Sequence, residues 1–294
     1  MRELVFNITD EHDGKQAYHY LRYCQHFSYA LIVKMRHTEN SLLLDGVPIR
    51  TIDRIKSGSV LKAYIPDSES FFTPNPELEL DILYEDDDIV VFDKPVHMPV
   101  HPSKNHQTDT VANYCAARYG NAKFHVVGRL DMDTSGIIVI GRHSHAAAVL
   151  TKNGGEKEYI AIVEGVLKEP SGVIDAPIDD SDPALHKSFI APTGDPSVTE
   201  YETIATNGVL TAVRVRPKTG RTHQIRVHFS YIGNPLCGDE LYGGNLEHID
   251  RQALHRNFMR FEHPITGEML EFKSNLPKDM QTLMDEIESD SQHE

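Results

Sequence analysis

The sequence predicts an α+β protein built in two parts that are joined by a short linker. Over most of the 294 residues, short strand-like runs alternate with turns and a few helical patterns. The beginning of the chain shows a shorter helix-plus-hairpin pattern, and Pro66, Pro74 and Pro76 separate it from the rest. We therefore predict a small module at 1–68, a linker at 69–76, a large domain at 77–278 and an acidic tail at 279–294.

The small first module is predicted from two segments with strand and turn signals. Residues 42–49 indicate a strand, a turn at Asp45–Gly46 and a second strand, because Asp-Gly is a strong hairpin signal. Residues 55–65 indicate a turn that is followed by another strand. Together they predict a small helix-plus-hairpin unit.

Apolar runs and alternating patterns predict the strands of the large domain. These strands are at 78–83, 89–92, 137–140, 159–163 and 209–216. The first two indicate a hairpin around the acidic residues 85–88, which are predicted to be a solvated turn. The third is predicted to be buried. In the last, Arg214 and Arg216 lie on one face because side chains repeat every second residue.

Apolar residues at helical spacing indicate two helices. Residues 145–150 form the beginning of the first helix, and residues 223–232 form the second. The apolar stripe of the second helix is formed by Ile225, His228, Phe229 and Ile232. Arg221 lies just before this helix, and Arg226 points away from the stripe.

The chain is acidic, but one long segment contains no acidic residue. The formal net charge is −15, from 29 Lys+Arg and 44 Asp+Glu. Between Glu202 and Asp239 there is no Asp or Glu, and this acid-free segment contains the cations Arg214, Arg216, Lys218, Arg221 and Arg226. We predict a positive surface that suits a polyanion, because binding responds to the local field and not to the net charge. After Lys278 no Lys or Arg follows, and the acidic tail is predicted to be a helical end that frays into solvent.

Composition also argues against several classes of protein. The apolar runs are too short to span a bilayer, and the N-terminus lacks the apolar core of a signal peptide. Cys24, Cys115 and Cys237 are far apart and odd in number, which indicates a reducing compartment without a disulfide framework. The 17 histidines show no spacing typical of a zinc site. We expect a cytoplasmic protein without a bound metal.

Three segments contain side chains that could carry chemistry. Asp131 lies in a turn-forming segment directly before the buried strand, where a carboxylate would be held rigidly as a nucleophile or base. The same segment fits an ordinary turn, with Asp131 and Asp133 as turn formers and Thr134 and Ser135 bonded to their own backbone, and a metal site is a third interpretation. Tyr159, at the start of a strand, fits half-buried packing. The third segment is the acid-free segment, centred on residues 219–228. From these residues alone, the alternatives stay open.

Taken together and in order, these segments resemble the RluA family of RNA pseudouridine synthases. The resemblance covers about residues 77–277. The matching strings are YEDDDIVVFDKP at 84–95, VHP at 100–102, RLDMDTSG at 129–136, KEYIAIVEG at 157–165, TGRTHQIRVH at 219–228, GDELYG at 238–243, ALH at 253–255 and FEHP at 261–264. Two positions depart from the family pattern, because Gly128 stands where the family usually has His and His97 lies in a region where it usually has Gly.

The resemblance implies a fold and an activity. The fold is the pseudouridine synthase fold, with a mainly antiparallel central sheet and flanking helices, preceded by a diverged S4-like RNA-binding module. The activity breaks the N1–C1′ bond of a uridine, turns the base and joins C5 to C1′. This isomerisation changes no redox state and consumes no energy, so no cofactor is expected.

The resemblance also assigns roles to individual residues. Asp131 is the expected essential carboxylate, which attacks C1′ or deprotonates C2′, and Arg221 is the expected cation that keeps it ionised. Tyr159 is expected to pack on the base and to help remove the C5 proton. Arg129 is expected to enter the space that the flipped base leaves. RNA contacts are expected from Arg129, Arg214, Arg216, Lys218 and Arg226.

The expected partner is structured RNA, with ribosomal RNA first and transfer RNA open, and the expected enzyme is a monomer. A noncatalytic RNA-binding or ribosome-assembly protein that retains the fold is the main alternative. It does not need Asp131, whose charge would repel phosphate. A glycoside hydrolase typically needs two carboxylates that flank the bond, and only Asp133 is near.

Overall fold

Strands dominate the structure, as the alternation of short apolar runs predicts. A computed structural model describes residues 1–66, 71–120, 124–181 and 187–291. The strands in these ranges are β1 (Arg2–Asn7), β2 (Leu42–Leu44), β3 (Val47–Pro48), β4 (Val60–Ile65), β5 (Asp81–Glu85), β6 (Ile89–Lys94), β7 (His125–Val127), β8 (Ser135–Gly141), β9 (Glu156–Glu164), β10 (Ser171–Asp175), β11 (Ile178–Asp179), β12 (Phe189–Ile190), β13 (Val198–Thr206), β14 (Leu210–Pro217), β15 (Leu254–Glu262) and β16 (Met269–Lys273). The α-helices are α1 (Ala17–His19), α2 (Tyr29–Arg36), α3 (Val111–Tyr119), α4 (Ser144–Asn153), α5 (Gln224–Tyr231) and α6 (Lys278–Ser291). None of the helices described is both long and apolar enough to cross a membrane.

The first module is a four-stranded antiparallel sheet with the helical segments of residues 17–36 beside it. Its strand order is β1-β4-β2-β3. The predicted turn at Asp45–Gly46 is confirmed, because Leu44 pairs with Val47 and the turn residues have φ angles of 49° and 81°. Two positive φ angles are the backbone of a two-residue hairpin turn. The module has its own core, which includes Phe27, Ile32 and Leu61. Its identification with an S4-like module stays a prediction.

The large domain is built on one sheet of ten strands. Its path is β10-β13-β14-β9-β15-β8-β6-β5, with β16 paired to β15 and β7 paired to β8. Within the described ranges the neighbours are antiparallel except β15 and β8, which confirms the predicted mainly antiparallel sheet. Strand β8 is buried along its whole length, as predicted for residues 137–140. A strand covered on both faces has a continuous apolar run for this reason.

The side chains of β9 alternate between two separate cores. Tyr159 and Ala161 pack in the core that also contains residues of α3 and α5. Ile160 and Ile162 pack in the core that contains residues of α6. The alternation follows from the two-residue repeat of a strand. The face of β9 that carries Tyr159 therefore lies toward α5, the helix predicted at residues 223–232.

The acidic tail is helical as predicted, but the prediction that it frays into solvent is wrong, because α6 packs on the sheet. Met280, Leu283, Met284 and Ile287 are buried among apolar side chains of β9 and β14. Their spacing is the apolar stripe of an amphipathic helix, and acidic residues such as Glu286 take the exposed side. The acidic residues between these apolar positions led to the prediction of a solvated tail. Residues 292–294 of the predicted tail lie outside the described residues.

Asp88 connects the first module to the large domain. Arg2 of β1 donates two hydrogen bonds to its carboxylate, at 2.8 and 3.0 Å, and His143 Nε2 lies 2.9 Å from it. Asp88 is only 4 % exposed, so the prediction of a solvated turn at 85–88 is wrong for this residue. Burial opposes its ionisation, but hydrogen bonds with His143 and Arg2 hold the pKa of Asp88 below its usual range. Residues 68–70, where the first module was predicted to end and the linker to begin, lie outside the described residues.

Candidate active site

A buried lysine holds the turn that carries Asp131. Residues 131–133 lie between β7 and β8, and the ammonium of Lys94 donates to the carbonyl oxygen of Met132 at 2.8 Å. The same ammonium donates to the carbonyl oxygens of Pro95 and Met98. An ammonium has three donors, and each has an acceptor here. Burial lowers the pKa of Lys94 to about 7, although the two carboxylates of the turn raise it.

Asp131 forms an ion pair with Arg226. Arg226 Nη1 lies 3.0 Å from Asp131 Oδ2, across 95 residues of sequence. Nε and Nη2 of the same guanidinium bind both oxygens of buried Asp239, at 2.7 and 2.8 Å. The side chain of Arg226 is 8 % exposed, so the RNA contact predicted for it does not fit this position. Its fixed geometry joins α5 to the turn of Asp131.

The contact predicted between Asp131 and Arg221 is wrong in this structure. Arg221 lines the same cavity, but its guanidinium pairs with Asp195 at 2.8 Å. The physical reason is the orientation of α5, which decides which arginine faces the turn that carries Asp131. Arg226 points away from the apolar stripe of α5, and this side faces Asp131. The sequence contained a sign of this contact, because it placed Arg226 away from the apolar stripe, where its guanidinium can bind a carboxylate.

Tyr159 packs against a buried arginine, Arg256, which lies outside the segments with predicted site residues. Tyr159 is 7 % exposed, and the guanidinium of Arg256 lies 4.9 Å from its ring centroid. Arg256 Nε donates to the Tyr159 hydroxyl at 2.8 Å, and Nη2 donates to the same oxygen. Nη1 donates to the carbonyl of Ile137 at 3.1 Å. Among the described residues, no carboxylate pairs with Arg256, which is 2 % exposed. It directly follows the matched string that ends at residue 255.

Lys157 adds a second cation to this wall of the cavity. It lies two residues before Tyr159, so both side chains belong to one face of β9. Burial and the charge of Arg256 lower the pKa of Lys157 to about 8. Gly128 lies beside it with a φ angle of 72°, and a Cβ at Gly128 would lie 3.6 Å from Lys157 Nζ. A longer side chain at 128 would therefore compete with the ammonium for this space.

His223 lies at the start of α5 and close to Asp131. Its backbone is left-handed, with a φ angle of 54°. Its Nδ1 lies 2.9 Å from the Tyr242 hydroxyl, and its Nε2 lies 3.9 Å from Asp131 Oδ2. Burial lowers the pKa of His223, although the charge of Asp131 raises it. Burial therefore favours the neutral form of this imidazole.

These side chains surround one cavity of about 390 Å³. The predicted site residues that line it are Arg129, Asp131, Tyr159, Arg221 and Arg226. Lys157, His223 and Arg256 line it as well. The volume is in the range of roughly 300–1,000 Å³ that is usual for small-molecule sites. It is a space in which a carboxylate, a neutral imidazole and several cations face one another.

The positive surface predicted for the acid-free segment is largely neutralised. Strand β14 lies between β9 and β13, and carboxylates of these neighbours reach its cations and Lys218, which directly follows it. The pairs are Arg214 with Glu158 and Glu202, Arg216 with Glu158, and Lys218 with Glu200. Their RNA contacts stay predictions. Arg129 is exposed, and no ion pair to it is found in the described part of the chain.

One cluster outside the cavity has the atom types of a metal site. Ligand atoms of Asp86, Asp88 and His263 lie within 4.8 Å of one another. However, Asp88 already binds Arg2, and Asp86 Oδ2 lies 2.8 Å from His263 Nε2. These bonds satisfy the cluster as a structural network.

The chain is similar to RNA pseudouridine synthases in sequence and in fold. A family model described as RNA pseudouridylate synthase matches residues 88–231. The chain is 36 % identical over 263 residues to the uncharacterized RNA pseudouridine synthase YjbO of Bacillus subtilis (strain 168). This alignment covers 86 % of this chain and 93 % of that protein. It is 35 % identical to ribosomal large subunit pseudouridine synthase D of Pseudomonas aeruginosa, over 86 % of this chain and 85 % of that protein. The structure of human RNA pseudouridylate synthase domain containing 4 is similar in fold, with a TM-score of 0.58 at 23 % identity, over 71 % of this chain and 93 % of that chain.

Proposed function

The chain belongs to the RluA family of RNA pseudouridine synthases, and we propose that it converts specific uridines of structured ribosomal RNA to pseudouridine. The observation that carries this proposal is the meeting of Asp131, Arg226 and Tyr159 in one cavity. The names of relatives such as ribosomal large subunit pseudouridine synthase D support ribosomal RNA as the substrate class. We propose the first module as an S4-like RNA-binding unit.

Asp131 is proposed as the essential carboxylate. It either attacks C1′ of the target uridine or takes a proton from C2′, and both routes need an ionised oxygen. Arg226 holds Oδ2 at 3.0 Å, and Lys94 holds the backbone of the turn. The carboxylate is 30 % exposed, so it stays accessible to a substrate in the cavity. Rigid placement of this kind lowers the barrier because the reacting atoms need no further ordering.

The departing base is proposed to face Lys157 and Arg256. When the N1–C1′ bond breaks, its electron pair stays on N1, and the free uracil is an anion. Two cations whose charges are not balanced by a carboxylate among the described residues favour that charge. Fixed charges aimed at the place where charge develops are an effective form of catalysis. Tyr159, held by Arg256, presents its ring to the base as a stacking surface.

Arg129 is proposed to compensate for the removal of the base from its stack. Unstacking a base costs a few kcal/mol. A planar guanidinium that stacks and donates hydrogen bonds offsets part of this cost. Arg129 is suited to this role because it lines the cavity and is exposed.

Mapping of pseudouridines in cells tests the proposal. Total RNA from cells lacking the protein is treated with carbodiimide and alkali, and the reverse-transcription stops are compared with those of wild type. We expect stops to disappear at one or a few ribosomal uridines, and to return with the wild-type gene but not with Asp131→Asn. Rescue by Asp131→Asn would contradict the role of the carboxylate. Unchanged stops, with no turnover of bulk RNA by the purified protein, would favour a noncatalytic RNA-binding protein.

A further inference from the structure

The hydrogen bonds of Tyr242 determine which nitrogen of His223 carries a proton. The Tyr242 hydroxyl accepts from the backbone N–H of Ser188 at 3.0 Å and donates to the Ser188 carbonyl at 3.1 Å. A hydroxyl has one proton and two lone pairs. Its remaining lone pair therefore accepts from His223 Nδ1 at 2.9 Å. This assignment satisfies every member of the network, and it places the proton of the neutral imidazole on Nδ1.

His223 Nε2 consequently presents a bare lone pair to the cavity. It lies 3.9 Å from Asp131 Oδ2, which is too long for a hydrogen bond. The space between the two atoms can admit a substrate atom that contacts both. Burial lowers the pKa of His223 and so favours the neutral imidazole, in which this lone pair can accept a proton. The charged groups that act on this imidazole are Asp131, Arg226, Asp239 and Arg129.

The hydroxyl of Tyr159, unlike Nε2 of His223, has no free lone pair. It accepts hydrogen bonds from both Nε and Nη2 of Arg256, so both of its lone pairs are occupied. In this arrangement it has a proton to donate and no lone pair with which to accept one. The expectation that Tyr159 helps to remove the C5 proton therefore has no support from this geometry.

We infer that His223, and not Tyr159, is the general base that removes the C5 proton of the rearranged uracil. The inference rests on the proposed function. In the adduct that precedes this step, C5 is bonded to C1′ and still carries its hydrogen, and N1 is doubly bonded to C6. Nε2 takes the proton from C5. The C–H electron pair becomes the C5=C6 double bond, the former N1=C6 pair moves to N1, and N1 receives a proton from the imidazolium directly or through water. No oxidant or reductant is needed.

The left-handed backbone of His223 supplies a well-matched test variant. Asn tolerates a positive φ angle better than most residues, and its side-chain amide can still donate to the Tyr242 hydroxyl. His223→Asn thus keeps the local structure but removes the basic nitrogen. A base positioned for proton transfer typically contributes about 10²- to 10⁴-fold in rate.

The experiment compares uridine RNA, unlabelled or deuterated at C5 of the target base, with the same RNA that carries fluorine at C5. Single-turnover rates are measured on uridine RNA with hydrogen or deuterium at C5, and on the same RNA with 5-fluorouridine. Fluorine permits cleavage of the N1–C1′ bond and formation of the C5–C1′ bond, but leaves no C5 proton to remove. We expect His223→Asn to lose about 100-fold or more on uridine RNA, to show a larger C5 deuterium isotope effect than wild type, and to rearrange 5-fluorouridine RNA at nearly the wild-type rate.

Each other outcome overturns the inference in a recognisable way. Equal losses on both RNAs would make His223 a positioning residue, and no loss would exclude it from the reaction. A larger isotope effect in Tyr159→Phe instead would make Tyr159 the base. His248→Asn, the same change at an exposed residue that does not line the cavity, is the matched control. A wild-type protein without turnover on either RNA would contradict the proposed function itself, and the inference that rests on it would fall with it.

Discussion

The guanidinium of Arg226 lies 3.0 Å from the carboxylate of Asp131, although 95 residues separate the two in the chain. Nε and Nη2 of Arg226 donate to the carboxylate of Asp239, and these two bonds fix the orientation of the guanidinium toward Asp131. Only a planar guanidinium, with its several donors in fixed directions, can bind Asp131 and Asp239 at the same time. This contact makes Arg226, and not Arg221, the candidate for the cation that pairs with Asp131.

Exchange of the two arginines distinguishes these assignments. We expect Arg226→Lys to lower the single-turnover rate about 100-fold, since an ammonium cannot reach both carboxylates with the same geometry. Arg221→Gln should lower it less than about fivefold, because exposed ion pairs contribute little. Rates at saturating RNA, together with melting temperatures, provide the measurement. The opposite order of effects would show that Arg221 replaces Arg226 when RNA is bound.

Lys94→Met tests whether the buried ammonium positions the turn of Asp131. Loss of the bond to the Met132 carbonyl should displace the turn, and misplacement by about 1 Å can cost about 100-fold in rate. The melting temperature should change little, because the variant also removes the desolvation cost of a buried charge. A wild-type rate in this variant would mean that the turn keeps its position without Lys94.

The pH dependence should report on Lys157. Its pKa is lowered to about 8, so the ammonium is present below this pH and is lost as the pH rises through it. If its charge stabilises the departing base, the rate of the chemical step falls from about pH 7 to about pH 9. Lys157→Arg does not titrate in this range, and the ratio of its rates at the two pH values should be closer to one.

Lys94 also titrates on this limb, near pH 7, but it is present in both proteins. The comparison between wild type and Lys157→Arg therefore isolates Lys157. Identical ratios would exclude its charge from the rate-limiting chemical step.

The salt dependence of RNA binding should separate Arg129 from the cations of β14. Arg129→Gln is expected to reduce the slope of log K against log salt by about 0.7, the value for one contact to single-stranded phosphate. Arg216→Gln should reduce it less, because Arg216 is already paired with Glu158 at 2.8 Å and releases fewer counterions. Filter binding over a series of salt concentrations gives both slopes. A larger effect of Arg216→Gln would mean that RNA displaces Glu158.

The last helix should be essential for folding of the large domain. Leu283→Ala removes a buried side chain and should lower the free energy of unfolding by about 2–5 kcal/mol. Glu286→Ala, on the exposed side of the same helix, should change it by less than about 0.5 kcal/mol. Denaturant titration measures both values. Similar small changes would restore the interpretation of a frayed tail.

Local patterns were sufficient for many elements and for the family. The Asp45–Gly46 turn, the buried strand at 137–140 and the helix at 223–232 each depend on residues that are close in sequence. Strings such as RLDMDTSG at 129–136 are also local, so they identify the family before any strand order is known.

The sequence by itself thus determined the α+β class, the family and Asp131 as the candidate carboxylate. Only the tertiary structure decided that Arg226 contacts Asp131, that Arg256 occupies the hydroxyl of Tyr159, and that Tyr242 orients His223. The physical reason is that these contacts depend on strand order, register and the face that each helix turns inward. A linear pattern records which side chains are present, but the packing of distant elements decides which of them meet and which lone pairs remain free.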